Sequence, residues 1–371
     1  MPFPGSQYDN TIKVAYFFHR NIFWIRILLL AIIFWQIFRL INYRKFGRVT
    51  FTIIFLGLFS LIFYFLNFRL NADKMFYQPE NKIFSSVAEN KVGEGKLIIG
   101  VNINGETKAY PIEIIGYHHQ VRDVVGNKPI MVTYCTVCRT GRIYDPVMNG
   151  KEESFRLVGM DHFNAMFEDE SSKSWWRQAT GEAIAGPQKG NTLTEIFSEQ
   201  TTLKNWLIKY PNSKILQPDN NFLKEYDLLV GFDEGTIESD LEKRSENSWE
   251  FKSWVIGIEY KGTEKAYDWN EVVKEKIIND SIRGSAILIV LENDVKTFHV
   301  YERNIDGKPL QFIISPDGNH LMDKETNSIW DFQGNCFEGI LSGNKLNPIQ
   351  AYQEFYHSWK QFHPGSLYYG R

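Results

Sequence analysis

The stretch Val49 to Phe68, VTFTIIFLGLFSLIFYFLNF, contains no charged residue. A helix of about 20 apolar residues crosses a hydrocarbon core of about 30 Å, so this stretch predicts a transmembrane helix. A second apolar segment, Ile22 to Ile41, precedes it and carries Arg26, Gln36 and Arg39. Both arginines lie near its ends, where their side chains can snorkel to the interface, and the segment reads as a second span. The alternative is an amphipathic helix lying in the interfacial plane. The expectation is a transmembrane helical hairpin that anchors the chain through residues 21–68. Arg39, Arg44, Lys45 and Arg48 cluster between the spans, against Arg69 and Lys74 beyond the second. The positive-inside bias puts that loop in the cytoplasm and the rest of the chain on the extracytoplasmic side. A charged n-region, short apolar core and small-residue cleavage site do not occur in that order, so the anchor is expected to persist.

The remainder is a folded protein by composition, since 43% hydrophobic and 23% charged residues exclude a disordered polymer. A formal charge of -3 and the lack of a basic run interleaved with aromatics exclude a general affinity for nucleic acid.

The soluble part reads as two copies of one unit. LIIGVNINGETKAYPIEII around Gly100 is echoed by WVIGIEYKGTEKAYDWNEV around Gly257. An offset of 157 pairs Tyr110 with Tyr267, Asp123 with Asp280, Tyr144 with Tyr301 and Phe155 with Phe312. After a small deletion the offset falls to 153 or 154, pairing Trp176 with Trp330, Gly181 with Gly334, Gly186 with Gly339, Trp206 with Trp359 and Pro211 with Pro364. Each copy opens with β-branched and aromatic runs bounded by turn signals such as Asn-Gly, and closes in a helix-like stretch stopped by proline, TTLKNWLIKYP and AYQEFYHSWKQFHP. The predicted fold is α+β, mainly β, an internally duplicated soluble domain with pseudo-two-fold symmetry. Its divisions are an anchor over 1–74, a first copy over 75–216, a charged and exposed linker over 217–250, and a second copy over 251–371. The recurring tryptophans are assigned to the core and the recurring glycines to turns. No P-loop or G-x-S-x-G elbow is present.

A residue that serves the common fold should recur, so chemistry should appear as a difference between copies. At offset 157, Cys135 faces Glu292, Cys138 faces Val295, His118 faces Glu275 and His119 faces Lys276. Cys135 and Cys138 form the chain's C-x-x-C, at the end of the predicted strand PIMVTY and before the turn-like RTGR. Sulfurs so spaced reach disulfide range, and Arg139 beside them would favour a thiolate. The same pair with His118, or with His162 beside Asp161, is a soft donor set for copper or zinc. It can also be an inert structural disulfide. His19, His299, His320, His357 and His363 are assigned to structural hydrogen bonding, and Cys336 is left unpaired. Arginine after Cys138 excludes the C-x-x-C-H of haem attachment.

These segments resemble a bacterial family named as domain of unknown function 3179. AYPIEIIGYHHQVRD resembles its opening Ala-Tyr-Pro motif, with His119 in place of the usual Glu and Arg122 in place of Asn. TYCTVCRTG is similar to its Tyr-Cys-Pro-Leu-Cys motif. DESSKSWWRQATGEAIAGPQKG and LKNWLIKYPNSKIL are similar to its Ser-x-Trp-x-Gln-x-x-Gly-Glu and Trp-x-x-x-x-Pro segments. The resemblance covers most of Gly93 to Leu216 and, more weakly, the second copy. Selenocysteine occurs in the cysteine motif of some members, which implies redox chemistry at Cys135 and Cys138. The leading expectation is thiol-disulfide exchange, with Cys135 attacking, Cys138 resolving and His118 or His119 moving the proton. A copper- or zinc-binding module and a non-catalytic binding or scaffold domain are the alternatives. Either chemistry requires a redox or metal-transfer partner that the sequence does not identify.

Overall fold

The computed structural model describes residues 9–42, 46–79 and 81–371. Arg44 and Lys45, part of the basic cluster between the apolar segments, lie outside the described residues. The chain gathers into two compact units: Met1–Tyr77, Glu153–Arg177 and Glu182–Thr192 make the first, and Gln78–Glu152, Gln178–Gly181 and Leu193–Arg371 the second. Two segments of the expected first copy, Glu153–Arg177 and Glu182–Thr192, group with the helical unit.

In the first unit, helices Asp9–Asn42 and Phe46–Tyr64 are long and apolar enough to cross a membrane, with windows of mean hydropathy 2.0 and 2.4. The first has 34 residues. At about 1.5 Å per residue it exceeds the roughly 30 Å hydrocarbon core. Its N-terminal turns pack instead on a four-stranded sheet ordered Ala183–Ala185, Trp175–Arg177, Asn164–Asp169, Phe155–Asp161. Ile12 and Tyr16 join Trp175 and Ile184 in one apolar cluster, Tyr16 Oη donates to the Lys173 carbonyl at 3.1 Å, and His19 Nε2 meets Glu168 Oε2 at 2.8 Å. Burial opposes ionisation of Glu168, but hydrogen bonds from His19, Arg156 and Trp175 outweigh it and draw the carboxyl down to about 2. Arg26 bonds Asn67, in the turn Phe65–Arg69 that continues the second helix, and lies over Phe63. It is thus satisfied by protein at the end of the span.

The second unit is mainly β. One sheet runs Phe84–Ser85, Lys214–Leu216, Glu106–Pro111, Leu97–Ile103, Glu199–Thr202, and another runs Leu367–Tyr368, Thr263–Asp268, Trp254–Tyr260, Ala351–Phe355. The central hairpins close at Asn104-Gly105 and Lys261-Gly262, all four at positive φ, as a two-residue type I′ turn demands. In the first sheet Lys108 Nζ and Tyr110 Oη donate to Asp123 Oδ2 at 2.9 and 2.7 Å; in the second Lys265 Nζ and Tyr267 Oη donate to Asp280 Oδ2 at 2.5 and 2.9 Å. Trp206 Nε1 bonds Ser213 Oγ at 2.8 Å and Trp359 Nε1 bonds Ser366 Oγ at 2.7 Å. The recurring tryptophans are buried as expected, and Gly181, Gly186, Gly334 and Gly339 all take positive φ.

Two expectations need correction. The segment 217–250 is exposed only in part, since Phe222, Tyr226, Phe232 and Ile237 enter the core with Tyr110, Val132 and Tyr134. The stretch AYQEFYHSWKQFHP is helical only over Tyr356–Phe362, because Ala351–Phe355 pairs with Trp254–Ile258 as a strand. The helices Ile112–His118 and Trp269–Glu275 went unread in the sequence, being too short to show a 3.6-residue period.

Gly100 and Gly257 face the indoles of Trp206 and Trp359 so closely that a Cβ would come within 2.5 and 2.1 Å of ring carbons. Alanine at Gly257 must displace Trp359 or its strand. Overpacking of this kind costs about 1–3 kcal/mol, so Gly257→Ala is expected to lower the unfolding free energy by that much or more, read in urea titration as a lower midpoint at an unchanged denaturant slope.

Candidate functional site

The C-x-x-C lies on a tight turn. Strand Lys128–Cys135 pairs antiparallel with Thr140–Tyr144, ending in the pair Cys135 and Thr140, so Thr136 to Arg139 form the connection. Arg139 closes it at φ 55, with its N–H on the Thr136 carbonyl at 3.2 Å. RTGR is therefore the end of the turn and the start of a strand. The turn brings the two sulfurs together, and the Cys135 and Cys138 side chains hydrogen-bond each other. Both residues are 0% exposed.

The imidazole at this pair comes from the C-terminal helix Tyr356–Phe362. His357 Nε2 stands 3.8 Å from Cys138 Sγ, and its Nδ1 stands 3.0 Å from the Phe251 carbonyl, which can only accept. Nδ1 therefore carries the proton and Nε2 offers a lone pair to the thiol. Stacking on Phe251 at 4.2 Å between centroids holds the ring plane. Lys252 is buried, donates to the Val137 carbonyl at 2.6 Å and acts as a positive charge on the cysteines. Ser358 hydrogen-bonds Cys138 and donates to Glu354 Oε2 at 3.1 Å. Phe355 N–H caps the Cys138 carbonyl at 3.0 Å.

The residues singled out in the sequence divide accordingly. Cys135 and Cys138 are brought together. His118 shares a hydrogen bond with Tyr226 Oη at 2.7 Å and packs edge-on against Phe222. His119 caps its helix at φ 58 and donates Nδ1–H to the Tyr134 carbonyl at 2.9 Å. His162, in the first unit, bonds Asp161 Oδ1 at 2.6 Å, while Arg177 holds the other oxygen of Asp161. Among the described residues, no group of three or more His, Cys, Asp or Glu side chains is arranged to hold a metal. Arg139 is not the cation at the thiols: its guanidinium donates to Gln353 and to the carbonyls of Phe232 and Asp233 and lies 3.9 Å over the Trp254 ring. Lys252 holds that role. His357, Lys252 and Ser358 were missed because their relation to the cysteines is one of space alone. A signal for His357 was present, since it faces Lys204 at offset 153 and so meets the same test of difference that selected the cysteines.

A family model described as "Protein of unknown function (DUF3179)" matches residues 79–366. The chain belongs to the DUF3179 family. The match runs through both sheets and the 217–250 segment, so the DUF3179 unit includes the cysteine turn and the helix that carries His357. No match was found to a curated protein or to a solved structure.

Burial dominates the electrostatics of this site. It pushes the Cys138 thiol up, an effect that the neighbouring Cys135 adds to and Lys252 and Ser358 oppose. It lowers His357 to about 3, helped by Lys252, and it lowers His119 and His363 to about 4. An imidazole kept neutral in the fold takes up a proton near 6.5 once unfolded. The unfolded chain then binds more protons below that pH, and stability falls as pH drops from about 6.5 toward about 4. Asp233, raised by burial to about 6, acts in the opposite direction between its unfolded value of 3.8 and 6. The expected result for His357→Gln is a flatter dependence of unfolding free energy on pH between 4 and 6.5, by up to about 1.4 kcal/mol per pH unit. An unchanged slope in urea titrations at pH 7 and pH 5 would contradict the assignment of His357 as a buried neutral base.

Proposed function

We propose that this DUF3179 protein is a membrane-anchored, extracytoplasmic thiol redox protein in which Cys135 and Cys138 cycle between dithiol and disulfide. One observation carries the reading. A neutral imidazole, its tautomer fixed by a backbone carbonyl, presents Nε2 to Cys138 Sγ 3.8 Å away, beside a second thiol and a lysine. Nucleophile, base and orienting group are the parts of an activated thiol. This reverses the roles expected from sequence, with Cys138 attacking and Cys135 resolving. His357 Nε2 takes the Cys138 proton, and the thiolate attacks a disulfide of a partner protein. Cys135 then displaces the partner as a dithiol, leaving Cys135 and Cys138 oxidised by two electrons and the partner reduced by two.

In the closed site the thiol and the imidazole are both uncharged and idle, since burial raises the one and lowers the other. Rehydration on opening returns both toward their usual values and lowers the cost of the proton transfer. Reactivity is then gated by a loosening of the Tyr356–Phe362 helix that admits water while His357 stays at the Cys138 thiol. Burial of both sulfurs also favours a second reading, in which the pair oxidises once and thereafter only locks the turn.

The duplication belongs to the same proposal: one unit occurs twice, and the first copy gained the thiols while the second gained their base. The anchor is a hairpin. The basic loop favours the cytoplasm, and the N-terminal turns of the first helix pack on the same unit that follows the second, which calls for two crossings.

The test is a redox titration of the full-length protein in detergent, equilibrated in graded dithiothreitol buffers, quenched in acid and alkylated after unfolding. Two of the three thiols are expected to appear and vanish together, reversibly, and to be lost as a cycling pair in Cys138→Ser. A pair that stays oxidised in every native buffer and reduces only on unfolding would leave the structural reading.

A further inference from the structure

A cleft of about 410 Å³ opens beside Trp254 and Trp269, within the range of roughly 300–1,000 Å³ of small-molecule sites. Asp233, Arg244, Asn270 and Lys296 also line it. Three buried polar atoms of this lining have no hydrogen-bond partner among the described residues: Asp233 Oδ1, Arg244 Nε and Trp254 Nε1. Buried polar atoms of native proteins are nearly always paired, so three on residues that line one cleft, shielded just behind its surface, mark a place where an occupant would gain partners.

The chemistry of the three atoms is specific. Asp233 is 1% exposed, and its other oxygen accepts the Leu97 N–H at 2.7 Å. Arg244 bonds Asn270 Oδ1 and lies 4.6 Å over the Trp254 ring, the same indole that Arg139 covers at 3.9 Å. Among the described residues neither guanidinium is paired with a carboxylate, whereas Lys296 is neutralised by Glu234 at 2.6 Å. Gly235, at φ 73, lets Arg244 and Trp254 close against this loop, since a Cβ there would lie 2.7 Å from each.

We propose that this cleft binds a small amino- or hydroxycarboxylate. The carboxylate takes the Arg244 Nε–H and the Trp254 indole N–H, and the amino or hydroxyl group donates to Asp233 Oδ1. A simple inorganic anion would fill the two donors and leave the Asp233 acceptor unpaired; a simple amine would do the reverse. The three atoms are shielded in this closed form, so entry turns the Arg244 guanidinium away from Asn270. The site is independent of the cysteine pair, and its occupant is a ligand whether or not the thiols cycle.

The test is calorimetric titration of the full-length protein in detergent with glycine, L-serine, L-glutamate and L-lactate. Propionate and ethylamine serve as half-ligands. At least one of the four is expected to bind one site per chain, more tightly than either half-ligand. Arg244→Gln should weaken it about tenfold or more, the loss of a charge-assisted hydrogen bond. Val273→Trp, which fills the cleft from an apolar wall, should abolish binding without touching a polar group, and Cys135→Ser, Cys138→Ser should bind as the parent does. Saturation by none of the four at millimolar concentration, or equal binding by Arg244→Gln and Val273→Trp, would overturn the proposal and leave the three atoms to water.

Discussion

The buried ion pair between Arg142 and Glu354 fixes the arrangement on which the cysteine site depends. Arg142 lies on the strand that leaves the C-x-x-C turn and Glu354 on the strand that enters the C-terminal helix; both are almost wholly buried and directly bonded. Tyr352 lies over the guanidinium at 3.3 Å, and Glu195 approaches it at 3.8 Å. Burial pushes Glu354 up and Arg142 opposes it, so each charge tolerates the interior because the other is there. Breaking such a pair by removing one partner costs about 3–5 kcal/mol. A shift of either strand by one residue would point these charges away from each other. The pair therefore sets the register that puts the Phe355 N–H on the Cys138 carbonyl and, two residues later, the His357 imidazole at the sulfur.

Ser358 extends the same network by joining Glu354 to the Cys138 thiol. The other end of the turn is held by Arg139, which ties it to Gln353 and to the backbone of Phe232 and Asp233. A turn so fixed at both ends holds its sulfurs close without exposing them. The helix that covers them is only seven residues long and is anchored through Trp359 on Gly257.

Much of the fold was legible in the sequence, for stated reasons. The apolar segments declare themselves by length and lack of charge, and the paired Tyr110 with Asp123 and Tyr267 with Asp280 were visible as recurring anchors before their bonds were known. Short helices and the strand Ala351–Phe355 were not legible, because seven residues carry no period and strand pairing is a long-range property. The part that the 217–250 segment plays in the core was hidden by its charges, which sit between the few apolar residues that enter it. At the site the cysteines could be read from local spacing, whereas His357 could be read only as a difference between the copies and not as their neighbour, since it reaches them across more than two hundred residues of chain. His118 and His119 were closer in sequence yet are committed to Tyr226 and the Tyr134 carbonyl.

The central claim is that His357 serves as the base for Cys138. It is tested most directly by the rate of Cys135–Cys138 disulfide closure under a fixed excess of oxidised glutathione, followed against pH in the parent and in His357→Gln. The account predicts a parent rate that rises with a dependence set by the imidazole and the thiol together. In the variant closure is slower and follows a single thiol ionisation at higher pH. Identical rates and profiles in the two proteins would contradict it.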